Sequence, residues 1–339
     1  MIDLLFSGVS FLTISFIFFG VAFGILVSAI PGLTTTIGVV LLLPFTYYLD
    51  SSSSLGMLMG VFVGGMAGGA IPAILINIPG NPASIVTNIN GYPLAKSGRG
   101  DFALGLALMS STIGALIGLV MLFLISPQLT DFALKFGAVE QFALVLLGLS
   151  LVSALSEKSV IKGYVSMCLG LMIATVGLDP ITAIPRYNFG TVAMQQGISF
   201  IPVMIGMFAI PTILESMVIT KNFKFPTIDK NFFQCIKGVT NALKEIKNSK
   251  LNVIRSSVIG AVIGAIPGTG SAIAATLSYQ LTKKIEKSSD KNRMTSQGII
   301  SPEAANSAMS GGALIPMLTL GIPGDPVTAV MLGALTIHG

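Results

Sequence analysis

Asn, Ser, Thr and Asp gather beside Pro and Gly at two places in the sequence, and side chains of these types at a broken backbone can hold an anion without carrying positive charge. The first place is NIPGNPAS, residues 77–84, and the second is GIPGDPVT, residues 321–328. Proline removes a backbone donor and glycine admits positive φ, so IPG inside an apolar run ends one half-helix and frees main-chain groups. The next half-helix presents N–H groups and the positive end of its dipole, which suits a carboxylate. At the first break the residues singled out are Asn77, Pro79, Gly80, Asn81 and Ser84, with Thr87 just downstream. At the second they are Gly321, Pro323, Gly324, Asp325 and Thr328. Asp325 admits two readings, cation ligand and helix N-cap.

Two further turns carry similar chemistry. PGLTTT supplies Pro31, Gly32, Thr34 and Thr35, and PGTGS supplies Pro267, Gly268, Thr269 and Ser271. Small and hydroxyl residues there let the backbone approach a substrate or a cation. No Lys or Arg lies inside the break motifs, so the charge of any anion held there must be offset by dipoles and bound cations. Unwound carbonyls can hold Na⁺. A proton relay instead needs carboxylates or histidines, for which Glu215, Glu303, Asp325 and His338 are the candidates. SPEAAN, which contains Glu303 and Asn306, reads most simply as a capped helix start. The apolar runs show no Ser/His arrangement, Asp pair or His cluster, which argues against an enzyme. Cys168 and Cys235 supply neither a disulfide framework nor a metal set.

The elements that must position these residues are membrane helices. The chain is 53% hydrophobic and 10% charged, against about 25% charged in soluble domains. Apolar runs fall near residues 4–28, 55–78, 102–126, 160–178, 198–219 and 251–266, with shorter ones at 36–49 and 142–155. MIDLLFSGVS lacks a positive n-region, so no cleaved signal peptide is expected. The net charge of +5 is localised, because no Lys or Arg precedes Lys96 and most basic residues lie between Lys221 and Arg293. That distribution marks cytoplasmic loops. No aromatic platform interleaves with the lysines, so nucleic acid is not an expected partner. The stretch 221–250 reads as an amphipathic connector in reach of lipid.

The motifs are also duplicated. IPAILINIPGNPAS aligns with IPMLTLGIPGDPVT without gaps, placing Pro79 and Pro323 244 positions apart. GILVSAIPGLTTTIG echoes GAVIGAIPGTGSAIA, with Pro31 and Pro267 236 positions apart. Two pairs in one order predict an ancestral doubling. Repeat one then covers 1–235: a hairpin at 4–49, a broken helix at 55–95, spans within 102–219 and a cytoplasmic linker from 220. The first part of repeat two covers 236–339, with a hairpin at 251–280 and a broken helix at 302–339. Basic residues flank the second hairpin but not the first, so the repeats are expected to be inverted. Repeat two has reached only the counterpart of Ala95 at Gly339, so the chain is expected to be C-terminally incomplete. The fold class expected is an all-α polytopic membrane protein with inverted repeats, re-entrant hairpins and discontinuous helices, of the kind found in elevator-type secondary transporters. A carboxylate channel is the competing class, since its filter also uses broken helices, and a stand-alone carboxylate transporter without a binding protein is the other alternative.

GGAIPAILINIPGNPASIVTNINGYPLAKSGR, VGLDPITAIPRYNFG, AIPGTGSAIAATLSY and SPEAANSAMSGGALIPMLTLGIPGDPVTAVMLGALTIHG resemble the large membrane subunit of tripartite tricarboxylate transporters, the TctA family. The resemblance covers nearly the whole chain. It implies a multi-pass permease of the bacterial inner membrane, working with a small membrane subunit and a periplasmic solute-binding protein. The implied activity is import of citrate-like tricarboxylates or related carboxylates, driven by a Na⁺ or H⁺ gradient, and the implied chain is longer than this one. It also raises Glu303 and Asn306 to site candidates. Asn81, Asp325, Ser307 and NINGYP in place of a more usual DGYP are departures that bear on substrate identity.

Overall fold

Backbone polar groups in hydrocarbon must be satisfied within the segment, so long apolar runs coil. The computed structural model describes residues 10–133, 159–179, 184–191, 193–198, 232–285 and 291–338, with single positions at 135, 137, 139, 140, 142, 143, 146, 203, 210 and 214. Helix α1 (Phe11–Ala29) starts on a cap in which Ser10 Oγ accepts from the Thr13 N–H. A turn at Pro31-Gly32, with Gly32 at φ 92°, leads to α2 (Thr35–Thr46), capped by Thr34. Asp50 caps α3 (Ser51–Gly68), accepting from the Ser53 N–H at 3.0 Å. The short α4 (Ala70–Ile76) ends at the first break, and α5 (Ser84–Leu94) follows it. A π-helical turn at Ala95–Arg99 then feeds the 34-residue α6 (Gly100–Ala133).

Beyond α6 come α7 (Val160–Ala174), a two-residue antiparallel pair β1 (Gly177–Leu178) and β2 (Pro185–Arg186), and the amphipathic α8 (Phe232–Asn248). The last four helices are α9 (Lys250–Gly264), α10 (Gly270–Ile285), α11 (Lys291–Leu320) and α12 (Pro326–His338). Among the described residues, three helical stretches are long and apolar enough to cross a membrane: Phe11–Ala29, Ser51–Ile76 and Ser84–Asp131. The chain is an all-α membrane protein in architecture. Pro-Gly turns join α1 to α2 and α9 to α10, and the helix is interrupted between α4 and α5 and between α11 and α12. Most of the expected spans near 142–155 and 198–219, Glu215 and most of the linker lie outside the described residues.

One expectation is corrected here. SPEAAN is not a helix start, because α11 runs unbroken from Lys291 to Leu320 with Pro302 and Pro316 inside it. Local sequence signals a boundary at Pro302, since proline removes one helical bond. Residues 301–317 are nonetheless buried throughout, and packing on every side holds the helix straight through the signal.

Glycine seams set the helix spacing. A Cβ on Gly24 would strike the Val61 carbonyl, and one on Gly68 would strike the Ile25 carbonyl, so α1 and α3 touch backbone to backbone. In α9 and α11, Gly260 meets the Ala305 carbonyl and Gly312 meets the Ala261 carbonyl in the same manner. The partners are separated by the same 236 and 244 positions as the motifs. Small residues at such seams let apolar helices gain close van der Waals contact where no hydrophobic force drives them together. A hydroxyl link between Thr13 and Ser53, 3.2 Å long, recurs at the same offsets between Ser249 and Gln297.

Helices distant in sequence also share cores. Val39 and Leu43 of α2 share one buried core with Val327 and Val330 at α12, together with Met57, Phe62, Met309 and Leu314. Reciprocally, Ala83 and Val86 at α5 pack with Ala275 and Tyr279 of α10. A separate core joins Ala103 and Leu106 of α6 to Ala242 and Ile246 of α8 and Ile299 and Ile300 of α11.

Candidate functional site

Each break closes in the same way. Asn77 ends α4 in the left-handed region at φ 62°, and the Ile78 N–H returns to the Pro72 carbonyl at 3.3 Å. Gly321 ends α11 at φ 67°, and the Ile322 N–H returns to the Pro316 carbonyl at 3.2 Å. This is a helix stop that satisfies an otherwise orphaned carbonyl, and Asn is among the few non-glycine residues tolerated in its left-handed position.

The restarts match as well. Asn81 Oδ1 accepts from Ser84 N at 2.9 Å and Ser84 Oγ at 2.8 Å. Asp325 Oδ1 accepts from Thr328 N at 2.8 Å and Thr328 Oγ1 at 2.7 Å, while the Asp325 N–H donates back to Thr328 Oγ1 at 2.9 Å. Of the two readings of Asp325, the geometry is that of an N-cap. The hydroxyls of Ser84 and Thr328, expected to donate to an anion, are engaged in these caps. The Gly80 N–H, expected to be free, donates to the Gly69 carbonyl at 3.1 Å. Both arrangements follow from one rule: buried polar groups are paired within the fold.

The hairpin tips sit against their own breaks. A Cβ on Gly80 would meet the Ser28 carbonyl at the end of α1 and the Gly69 backbone, and one on Gly324 would approach the Ala313 Cα and the Gly264 carbonyl. The Gly268 N–H donates to the Gly324 carbonyl at 3.0 Å. Thr35 Oγ1 lies 3.2 Å from Ser28 Oγ, and Thr269 Oγ1 donates toward the Ile263 and Ile266 carbonyls at 2.6 and 2.9 Å. Thr34, Thr35 and Thr269 therefore hold their own turns, with Pro31, Pro267 and Ser271 partly buried beside them. Pro79 and Pro323 are partly buried in the corresponding positions of the two breaks.

A buried centre lies beyond the first break. Glu303 of α11 is 0% exposed. It accepts from Thr87 Oγ1 of α5 at 2.5 Å and from Ser111 Oγ of α6 at 3.0 Å. One turn on, Asn306 Nδ2 donates to the Met66 carbonyl at 3.0 Å, and Asn81 Nδ2 donates to that same carbonyl at 3.1 Å. The structure thus brings together Asn81, Ser84, Thr87, Glu303 and Asn306. Asn306 Oδ1 and Ser307 Oγ are buried oxygens without a hydrogen-bond partner among the described residues. A carboxylate, two hydroxyls and these unpartnered oxygens form a neutral-to-anionic, oxygen-rich set suited to a hard monovalent cation or a proton. Among the described residues no hydrogen bond joins the Asp325–Thr328 cap to this centre. Sequence reasoning missed Ser111 and the Met66 carbonyl. Ser110-Ser111 inside an apolar run was a visible signal for the first, and nothing in the side-chain pattern marks the second.

Residues 14–339 match the Tripartite tricarboxylate transporter TctA family. An uncharacterized 52.8 kDa protein in the TAR-I ttuC′ 3′ region of Agrobacterium vitis is 35% identical over 330 residues, which is 95% of this chain and 63% of that protein. An uncharacterized protein in the TAR-II ttuC′ 3′ region of the same organism is 37% identical over 71 residues, covering 21% of this chain and 29% of its own length. The chain thus spans less than two thirds of the length of either relative. No solved structure matches.

Proposed function

The chain belongs to the tripartite tricarboxylate transporter TctA family, and on that premise we propose that it acts as the permease subunit of a binding-protein-dependent secondary transporter. It imports citrate-like tricarboxylates or related carboxylates across a bacterial inner membrane, with a small membrane subunit and a periplasmic solute-binding protein as partners. The two breaks and the two hairpin tips, each in contact, frame the substrate path. The exchange of partners between α2–α12 and α5–α10 supports an inverted-repeat arrangement of the elevator kind.

The observation that carries the coupled-transport reading is Glu303. A carboxylate removed from water costs several kcal/mol unless it is neutralised, and no basic side chain pairs with it among the described residues. Two hydroxyl donors soften that cost without cancelling the charge. A co-transported Na⁺ or H⁺ supplies the missing positive charge, and Thr87, on the helix that restarts at the first break, links cation occupancy to the backbone near the substrate. An uncoupled carboxylate channel would have no use for a buried acid at this place. The deciding experiment is uptake in vesicles with purified binding protein, a panel of acids and imposed Na⁺ or proton gradients. Saturable uptake that follows one gradient supports the reading; flux that is indifferent to both gradients and does not saturate refutes it in favour of the channel.

A further inference from the structure

Arg255 lies in the second turn of α9, where it is the one charged residue between Leu251 and Gln280. Its Nη2 donates to Asn252 Oδ1 at 2.6 Å and to Thr282 Oγ1 at 3.0 Å. Asn252 Oδ1 also accepts from Ser256 Oγ at 3.2 Å and Thr282 Oγ1 at 2.9 Å. Its Nδ2 donates to Gln297 Oε1, and Gln297 in turn bonds to Ser249. Asn252, Gln297 and Thr282 are all buried. The guanidinium is therefore aimed by a rigid network drawn from α9, α10 and α11, yet every partner in that network is neutral. Among the described residues no carboxylate pairs with Arg255, and its Nε is buried with no hydrogen-bond partner.

The other half of the molecule shows that the fold does not need this charge. Counting back 236 positions places Phe16 where Asn252 stands and Phe19 where Arg255 stands. There the link between Thr13 and Ser53 is made without any cation nearby in the network. Phe19 is exposed and stacks on Phe23 with ring centroids 6.0 Å apart. What the second hairpin adds to the shared plan is a positioned guanidinium with donors to spare.

We propose that Arg255 anchors a binding site for the phosphate of an anionic membrane lipid at the open end of the α9–α10 hairpin. Its setting selects this occupant. Leu251, Ile254, Val258 and Val262 form an exposed apolar stripe along α9, with Leu251 78% exposed, and this is the surface such a helix turns to acyl chains. Arg255 sits partly buried beside that stripe. At the same end of the hairpin Lys250, Lys283 and Lys284 are exposed, and basic groups gathered at the end of a membrane helix attract anionic headgroups. The planar guanidinium fork matches phosphate oxygens in a way that a lysine point charge does not. A headgroup there would tie the hairpin end to the bilayer surface while α9, α10 and α11 pack behind it.

The inference stands apart from the transport reading, and its test measures no uptake. The full chain is purified into nanodiscs of phosphatidylcholine alone or with phosphatidylglycerol, as wild type, Arg255→Gln and Arg255→Lys. Arg255→Gln keeps a donor toward Asn252 and Thr282 but drops the charge. Phosphatidylglycerol should raise the Tm of the wild type by about 2–4 °C, of Arg255→Lys by less, and of Arg255→Gln not at all; citrate added in neutral lipid should act equally on all three. An equal phosphatidylglycerol response in wild type and Arg255→Gln overturns the proposal. So does a citrate response that is lost in Arg255→Gln while phosphatidylglycerol has no effect, which would reassign the guanidinium to the transported anion. If Arg255→Gln fails to fold, native mass spectrometry of wild type and Arg255→Lys decides. Several-fold less retained phosphatidylglycerol on the Lys variant supports the site, and equal retention overturns it.

Discussion

At the scale of single residues, Glu303 and Asp325 separate two uses of a buried carboxylate. Glu303 meets only hydroxyls, so Glu303→Gln removes a charge that the fold must otherwise accommodate. It should abolish gradient-driven uptake while leaving thermal stability unchanged or raised, because replacing a buried charge with a neutral isostere relieves desolvation. Unaltered coupling in Glu303→Gln would move the cation elsewhere. Asp325 instead spends its oxygen on Thr328, as Asn81 does on Ser84. Asp325→Asn should therefore preserve both stability and cation dependence, whereas Asp325→Ala should cost about 0.5–2 kcal/mol, the worth of an N-cap. A flattened Na⁺ or pH response in Asp325→Asn, read from uptake, would restore the ligand reading. The Asp325 cap was legible as one of two readings, whereas the sequence pattern gave Asn81 and Ser84 only a binding reading. Ser111 and Arg255 were not legible, since their meaning depends on which helix faces them.

At the scale of elements, the breaks and hairpins could be located from Pro and Gly, but not their extents. α11 passes through Pro302 because its surroundings outweigh one lost hydrogen bond, a balance that no local pattern reports. Gly80 and Gly324 are required for the close approach of the Ser28 and Gly264 carbonyls beside them. Gly80→Ala, Gly24→Ala and Gly260→Ala should each destabilise the protein by about 1–3 kcal/mol, the usual cost of overpacking. Denaturation in mild detergent would measure this, and a neutral Gly24→Ala would mean that the α1–α3 seam has slack. Gly32, with nothing near its missing side chain, should cost less by way of contacts and more by way of its φ of 92°.

At the scale of the whole molecule, contacts between α1 and α3 recur between α9 and α11 at offsets of 236 and 244. On the inverted arrangement proposed above, Ser52→Cys is labelled from outside intact cells and Lys284→Cys only after permeabilisation; labelling of both from one side would refute it. The exchange of helices between halves has a further result, in the order of assembly during synthesis. The apolar face of α2 around Val39 and Leu43 is completed only by Val327 and Val330, near the other end of the described chain. At ordinary elongation rates of about 5–20 residues per second, roughly 15–60 s separate the appearance of the two surfaces. Through that interval α2 must be sheltered by lipid, by the insertion machinery or by a chaperone. Slowing the ribosome between α5 and α12 should accordingly increase degradation of the nascent protein far more than slowing it after α12 has emerged.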